Sequence, residues 1–175
     1  LWVGNTRVDV AVSAADTATV IAAAMKTAID NQPELPVTAA VAAGVLTLTA
    51  KNKGAAGNGI RLRAQTTASG TTAAVAAMAD GDIDPDIAPA LANVVAAGHN
   101  IIICPFSAQT TLTTLRTHLD FVSGPMEQRG AIGVAGWPGT LAAGTTLASQ
   151  LNGGRITLGW HNGSVMLPAE IAAAY

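Results

Sequence analysis

Residues 100–136 read NIIICPFSAQTTLTTLRTHLDFVSGPMEQRGAIGVAG, and the succession of apolar periods in this stretch decides the fold class. Ile101, Ile102 and Ile103 form a continuous apolar run without alternation, the pattern of a short strand covered on both faces. After Pro105, Leu112, Leu115, Leu119 and Val122 recur at helical spacing, which predicts a helix over 109–122 with one buried stripe. A second apolar run predicts a strand over 131–135. Strand, helix and strand in succession imply parallel pairing through a right-handed crossover.

The same alternation extends in both directions. Upstream, Asp84 followed by Pro85 predicts a helix start, because proline is tolerated at the first helical position and an aspartate can cap free N–H groups. That helix should run over 85–97 and stop at Gly98. Downstream, a helix over 140–151, a strand over 155–160 and a helix opening at Pro168 complete the pattern. Residues 83–175 are therefore expected to form a layered α/β lobe with a mostly parallel sheet, truncated in its C-terminal helix.

The first lobe, expected over 1–66, reads as strand, helix and three strands, an α+β arrangement. Alternation from Arg7 to Val12 places Val8, Val10 and Val12 on one face of a strand. Ser13 and Asp16 fit a helix N-cap with a capping-box partner, followed by Val20, Ile21, Ala24, Met25, Ala28 and Ile29 at helical spacing. Pro33 and Pro36 prevent the helix from continuing. Residues 37–42 and 45–50 read as a hairpin turning at Ala43-Gly44, and 60–64 as a last strand with Arg61 and Arg63 outward. Residues 67–82, small and polar with no sustained period, read as a connecting segment. The chain as a whole is α/β.

Composition narrows the function classes. Half of the residues are hydrophobic, yet only 11% are charged and 3% aromatic, because alanine supplies much of the apolar count. A free monomer ordinarily carries about 25–35% charge on its surface. A surface this poor in charge suits contact with other subunits, where small side chains allow close approach. The net charge of −2, with no block of like charges, argues against nucleic acid as a partner. No run reaches the ~18 consecutive apolar residues of a membrane span. Cys104 has no second cysteine to pair with. The chain opens at Leu1 inside strand-like alternation and stops at Tyr175 inside a helical pattern, so an internal piece of a longer polypeptide is expected.

Signatures of chemistry are tested and set aside in turn. Gly130, Gly133 and Gly136 lie along a strand and not in the turn after it, so they fit close helix packing across Gly133 better than a dinucleotide fingerprint. Gly54, Gly57 and Gly59 form a glycine-rich loop without the Lys-Ser or Lys-Thr of a phosphate cradle. Phe121 stands where a nucleophile elbow around Ser123 would need glycine. His99, His118 and His161 sit on different elements without zinc-ligand spacing, and His99 after Gly98 fits the carbonyl end of its helix. Asp80, Asp82, Asp84 and Asp86 alternate as calcium ligands do, but no glutamate stands at the twelfth position. The sequence thus offers no catalytic residue, no cofactor and no metal site. Its candidate subunit-interface residues are Lys51, Lys53, Arg61 and Arg63, expected to cluster in the first lobe, and Glu127 and Arg129 in the turn after Pro125.

Three stretches carry a family resemblance: Lys51-Asn52-Lys53-Gly54-Ala55-Ala56-Gly57-Asn58-Gly59-Ile60, Gly154-Arg155-Ile156-Thr157-Leu158-Gly159-Trp160, and Leu167-Pro168-Ala169-Glu170-Ile171-Ala172-Ala173-Ala174. They resemble bacteriophage contractile-tail sheath proteins of the Mu-like group. The resemblance implies a non-enzymatic virion protein that polymerises with copies of itself as a helical sheath around the tail tube. It also implies contacts with the tube protein, the baseplate and the tail terminator, assembly in the host cytoplasm, and contraction that drives the tube into the host envelope. The family's strand-adding terminal arms have no counterpart in these residues. Two readings from other classes stay open: an α/β enzyme or ligand-binding domain with a polar site near Pro105, Gly136 and His161, and a surface adhesin or decoration domain built on the first lobe.

Overall fold

Among residues 1–164 and 166–175, which the computed structural model describes, strands and helices fall into two units, Leu1–Asp82 and Ile83–Tyr175. In the first unit, β1 (Trp2–Val3) is the centre of a small antiparallel sheet, flanked by β2 (Thr6–Arg7) and β5 (Leu62–Arg63). Trp2 sits opposite both Arg7 and Arg63 in register, and the Arg63 guanidinium stacks 4.3 Å from the centre of the indole ring. Helix α1 (Ala18–Asp30) packs on a separate hairpin, β3 (Val37–Ala42) and β4 (Val45–Ala50). The hairpin turns where read: Ala43 and Gly44 both take positive φ, 47° and 81°, as a two-residue turn matched to strand twist requires. A 3₁₀ turn over Ala55–Gly59 leads into β5, and residues 64–87 carry no helix or strand. Asn58 ties that segment down, its side-chain amide donating to Gly81 O at 2.7 Å and accepting from Gly81 N–H at 2.8 Å.

Two expectations for this unit are corrected. The alternation over 7–12 does not make a strand beyond Arg7; Val8 donates to Leu1 O at 2.7 Å and is fully buried, after which the chain leaves the sheet. Ser13 and Asp16 do bond, the Ser13 N–H donating to the Asp16 carboxylate at 2.7 Å, but they close a turn ahead of the helix. Thr17 is the cap of α1, its hydroxyl accepting from Val20 N–H at 3.4 Å.

The second unit follows the reading closely. Its elements are α2 (Ala88–Val94), β6 (Ile101–Cys104), α3 (Gln109–Val122), β7 (Ile132–Trp137), α4 (Leu141–Leu151), β8 (Ile156–Trp160) and α5 (Pro168–Ala174). The three strands pair in parallel in the order β6-β7-β8, with Ile102 beside Gly133 and Ala135 beside Leu158. Leu112, Leu115, Leu119 and Val122 of α3 pack with Leu91 of α2, Leu147 and Leu151 of α4, and Cys104, Ala131 and Ala135, so these three helices share one face of the sheet. At Gly133 a Cβ would come within 2.9 Å of Leu119 Cδ1 and 3.0 Å of Leu115 Cδ2. The close packing expected across this glycine is what the structure has. Three residues on, Gly136 faces the other side of the sheet, where a Cβ would strike the backbone of Pro168 at the start of α5.

Here too the reading needs correction in two places. Helix α2 begins at Ala88, three residues after Pro85, with Ile87 at the cap position, and the Asp86 carboxylate accepts from Ala88 N–H at 2.9 Å in a turn just ahead of it. The isoleucine run is covered on one face only: Ile102 packs against the core, while Ile101 and Ile103 are 63% and 49% exposed. Helix α5 meets the sheet at Gly136 and Gly159, toward the C-terminal ends of β7 and β8, and leaves the start of β6 bare.

The two glycines of β7 should respond differently to a methyl group. At Gly133 the obstacle is the ends of two leucine side chains, which can rotate; at Gly136 it is backbone. Gly133→Ala is expected to lower the stability of the second unit by about 1 kcal/mol and Gly136→Ala by about 3 kcal/mol. Leu115→Ala, which empties a fully buried site, is expected to cost about 2–5 kcal/mol. Urea unfolding followed by tryptophan fluorescence checks the order, and equal effects of the two glycine variants would contradict the two-sided packing of β7.

Candidate subunit-contact surface

The charged residues singled out in the sequence divide into two kinds. Lys51, Lys53, Arg61 and Arg63 are all exposed. They do not share one environment, however. Lys51 follows the β3–β4 hairpin and its ammonium donates to Pro33 O at 2.7 Å, whereas Arg63 lies in the other sheet, stacked on Trp2. Arg61 precedes β5, and its carbonyl accepts from Gly4 N–H at 2.8 Å, leaving the side chain directed outward. Lys53 lies in the loop ahead of the 3₁₀ turn.

Glu127 and Arg129 are half-buried and pair with each other. Arg129 also donates to the Val95 carbonyl at the end of α2. Arg116, which the sequence reading passed over, does the same for α4, donating from Nη1 to Leu151 O at 2.6 Å. Each guanidinium thus sits at the negative end of a helix and satisfies a carbonyl without an intrahelical partner. Their chemistry is bracing within the unit.

The second unit leaves several large apolar side chains uncovered. Met126 is 94% exposed, and Phe121, Leu141, Ile101, Ile103 and Ile132 lie between 45% and 63%. Scattered apolar residues are ordinary on a protein surface. Ile101, Ile103 and Ile132 are different because they belong to adjacent strands of one sheet, with Ile101 beside Ile132 in register. Together they form a contiguous apolar patch beside the free edge of β6.

One titratable pair emerges that spacing alone could not reveal. His99, between α2 and β6, stacks on His118 of α3, with ring centroids 5.0 Å apart and the two Nε2 atoms 3.0 Å apart. One ring must donate and the other accept, which requires at least one neutral imidazole. The expected interaction of His99 with the end of its own helix is replaced by this contact; Arg129 occupies the α2 carbonyl instead. Burial, and then the neighbouring His99, hold the His118 imidazole below its ordinary value. Cys104 is buried in the core, and burial pushes its thiol up, away from the reactive thiolate. Among the described residues no group of three or more His, Cys, Asp or Glu side chains is placed to hold a metal ion, and no helix is long and apolar enough to cross a membrane.

No protein-family model matches the chain. Over 157 residues, 87% of its length, the chain is 34% identical to the Mu-like prophage FluMu tail sheath protein of Haemophilus influenzae. The match takes in 32% of that relative, so the chain spans about a third of the length of the curated protein it resembles. The chain is thus homologous to part of a Mu-like tail sheath protein. The resemblance first carried by three short stretches extends over most of its residues.

The histidine pair is expected to make the second unit sensitive to acid. The His118 value is lowered by folding, so the unfolded chain takes up its proton first, near the ordinary value of about 6.5. The stability tied to the neutral ring is complete above that value and is lost as pH falls through it toward the folded value. The urea midpoint is expected to be lower at pH 5.5 than at pH 7.5, and His118→Gln, which keeps an amide facing His99, is expected to shrink the difference. An identical pH dependence in the variant would remove the pair from this role.

Proposed function

We propose that this chain is a structural part of a phage tail sheath subunit, one that works by touching copies of itself and not by catalysis. The observation that carries the reading is the 34% identity over 87% of the chain to a tail sheath protein. The physical character of the surface supports it. With 11% charged residues and half of its residues hydrophobic, the chain has the composition of a contact element.

On this reading the full subunit polymerises as a helical sheath around the tail tube, meets the baseplate and the terminator at its ends, and assembles in the host cytoplasm before residing in the virion tail. Contraction then drives the tube into the host envelope. Two well-packed units suit a subunit that moves largely as rigid bodies, with neighbours held by flexible connections. The free energy of contraction would come from better burial between subunits in the contracted state, and no nucleotide is consumed. The exposed cations Lys51, Lys53, Arg61 and Arg63 pair with acidic groups on neighbouring copies and fix register, while Glu127 and Arg129 hold the shape of the surface from within.

The test uses the full-length polypeptide. Purified, it is expected to form tubes visible by negative-stain electron microscopy, whereas residues 1–175 alone scatter light as a monomer or weak oligomer. A full-length protein that stays monomeric, or a stable closed oligomer of residues 1–175, would overturn the reading. Lys53→Glu with Arg61→Glu, both at exposed positions, is expected to change the stability of residues 1–175 by less than about 0.5 kcal/mol and to reduce tube yield severalfold. Normal tube yield from that variant would remove the first unit's cations from the contact surface.

A further inference from the structure

We infer that the free edge of β6 is completed in cis, by a parallel strand from the polypeptide that follows α5 in the longer subunit. The inference rests on the reading proposed above, in which these residues are part of a larger sheath protein; the relative they match is about three times the length of the matched stretch.

The topology of the sheet limits where the chain after α5 can add a strand. Helices α3 and α4 lie on one face of the sheet and carry the chain from β6 to β7 to β8. Helix α5 lies on the opposite face: Gly133 meets α3, whereas Gly136 and Gly159 meet Pro168, Ile171 and Tyr175 of α5. Parallel crossovers keep one hand in nearly all proteins. On the α3 face that hand advances from β6 toward β8, so on the α5 face it advances back, from β8 toward β6. The position beside β8 on its inner edge is taken by β7, and that beside β7 by β6. The next vacant position in the direction of travel is the outer edge of β6.

The edge itself points to the same position. Ile132 N–H donates to Asn100 O at 2.9 Å, and Ile102 stands beside Gly133 in register. In a parallel ladder alternate residues of a strand bond to the same neighbour. Ile102 and Cys104 therefore direct their backbone groups at β7, and Ile101 and Ile103 direct theirs at the open edge. The side chains of these two residues are the exposed isoleucines on the α5 face. One added strand with its flanking segment would satisfy both the backbone groups and the apolar surface. The segment before α2 does not fill this position, because residues 64–87 carry no strand.

The apolar, non-alternating run Ile101-Ile102-Ile103 acquires its reason in this way. It is the sequence of a central strand, covered on both faces, in a sheet whose fourth member comes from elsewhere in the polypeptide.

Residue-resolved amide hydrogen exchange decides the matter, with Ile102 and Cys104 as internal controls. In residues 1–175 alone, the Ile101 and Ile103 amides are expected to exchange at least tenfold faster than those of Ile102 and Cys104. In the full-length polypeptide held monomeric by dilution, all four should be protected alike. If Ile101 and Ile103 stay fast in the monomer, the inference fails, and if they slow only on polymerisation, a neighbouring subunit supplies the cover and the cis assignment fails while the sheath reading stands. A full-length protein that protects the edge yet forms no tubes would fail the sheath reading and keep the inference. As a second readout, Ile101→Glu with Ile103→Glu should leave the urea midpoint of residues 1–175 unchanged and lower that of the full-length monomer; equal effects on both would overturn the proposal.

Discussion

The architecture of the second unit depends on the close approach of helices to both faces of β7. A strand side chain ordinarily holds a helix off the sheet, and a glycine lets it come nearer. Gly133 admits the tips of Leu115 and Leu119, which are fully buried in consequence. Gly136, an odd number of positions away and so on the reverse side of the pleat, admits the backbone of α5 at Pro168. The one strand is therefore packed twice without a large side chain on either face at those points. Its neighbours inherit their geometry from it: β6 and β8 each pair with β7, and the crossover helices are held where its glycines allow.

That constraint explains why the second unit was legible in the sequence, as was the hairpin of the first unit, and the small sheet of the first unit much less so. A parallel unit needs long helices with an unbroken apolar stripe, and α3 was bounded to the residue by Leu112, Leu115, Leu119 and Val122. The small sheet of the first unit is built from two-residue strands whose pairing depends on distant partners, such as Trp2 with Arg63, whereas the six-residue strands of its hairpin carry their own turn signal at Ala43-Gly44. Alternation over residues 7–12 promised a strand, but a single buried valine, Val8, is enough to anchor a loop and needs no ladder beyond it. Caps were displaced for a related reason. Ser13 and Asp16 bond to each other in a turn, and Asp86 accepts from Ala88 N–H ahead of α2, because a short polar side chain satisfies whichever free N–H groups the packing leaves near it.

The candidate surface was legible as a list of charges and not as an arrangement. Exposure of Lys51, Lys53, Arg61 and Arg63 follows from their type and from alternation in a strand, both visible in the sequence. The burial of Arg129 beneath the end of α2 does not, since it depends on how the turn after α3 folds back on α2. Nor does the contact of His99 with His118, nineteen residues apart on different elements. The signal that does exist in the sequence is that arginine and histidine near helix ends find carbonyls or one another, as Arg116, Arg129, His99 and His118 do.

Charge depletion and the half-covered sheet express one property. A surface with few charges gains little from solvation, so its free energy falls when apolar groups such as Ile101, Ile103 and Ile132 are removed from water, at roughly 25 cal/mol per Å². In an isolated chain that gradient is a liability, favouring nonspecific association. In a subunit it becomes directional when backbone groups at a strand edge decide which segment covers the patch and in what register, because hydrogen bonds are satisfied in one alignment and orphaned in others. The apolar area then supplies the magnitude of the contact and the edge supplies its identity.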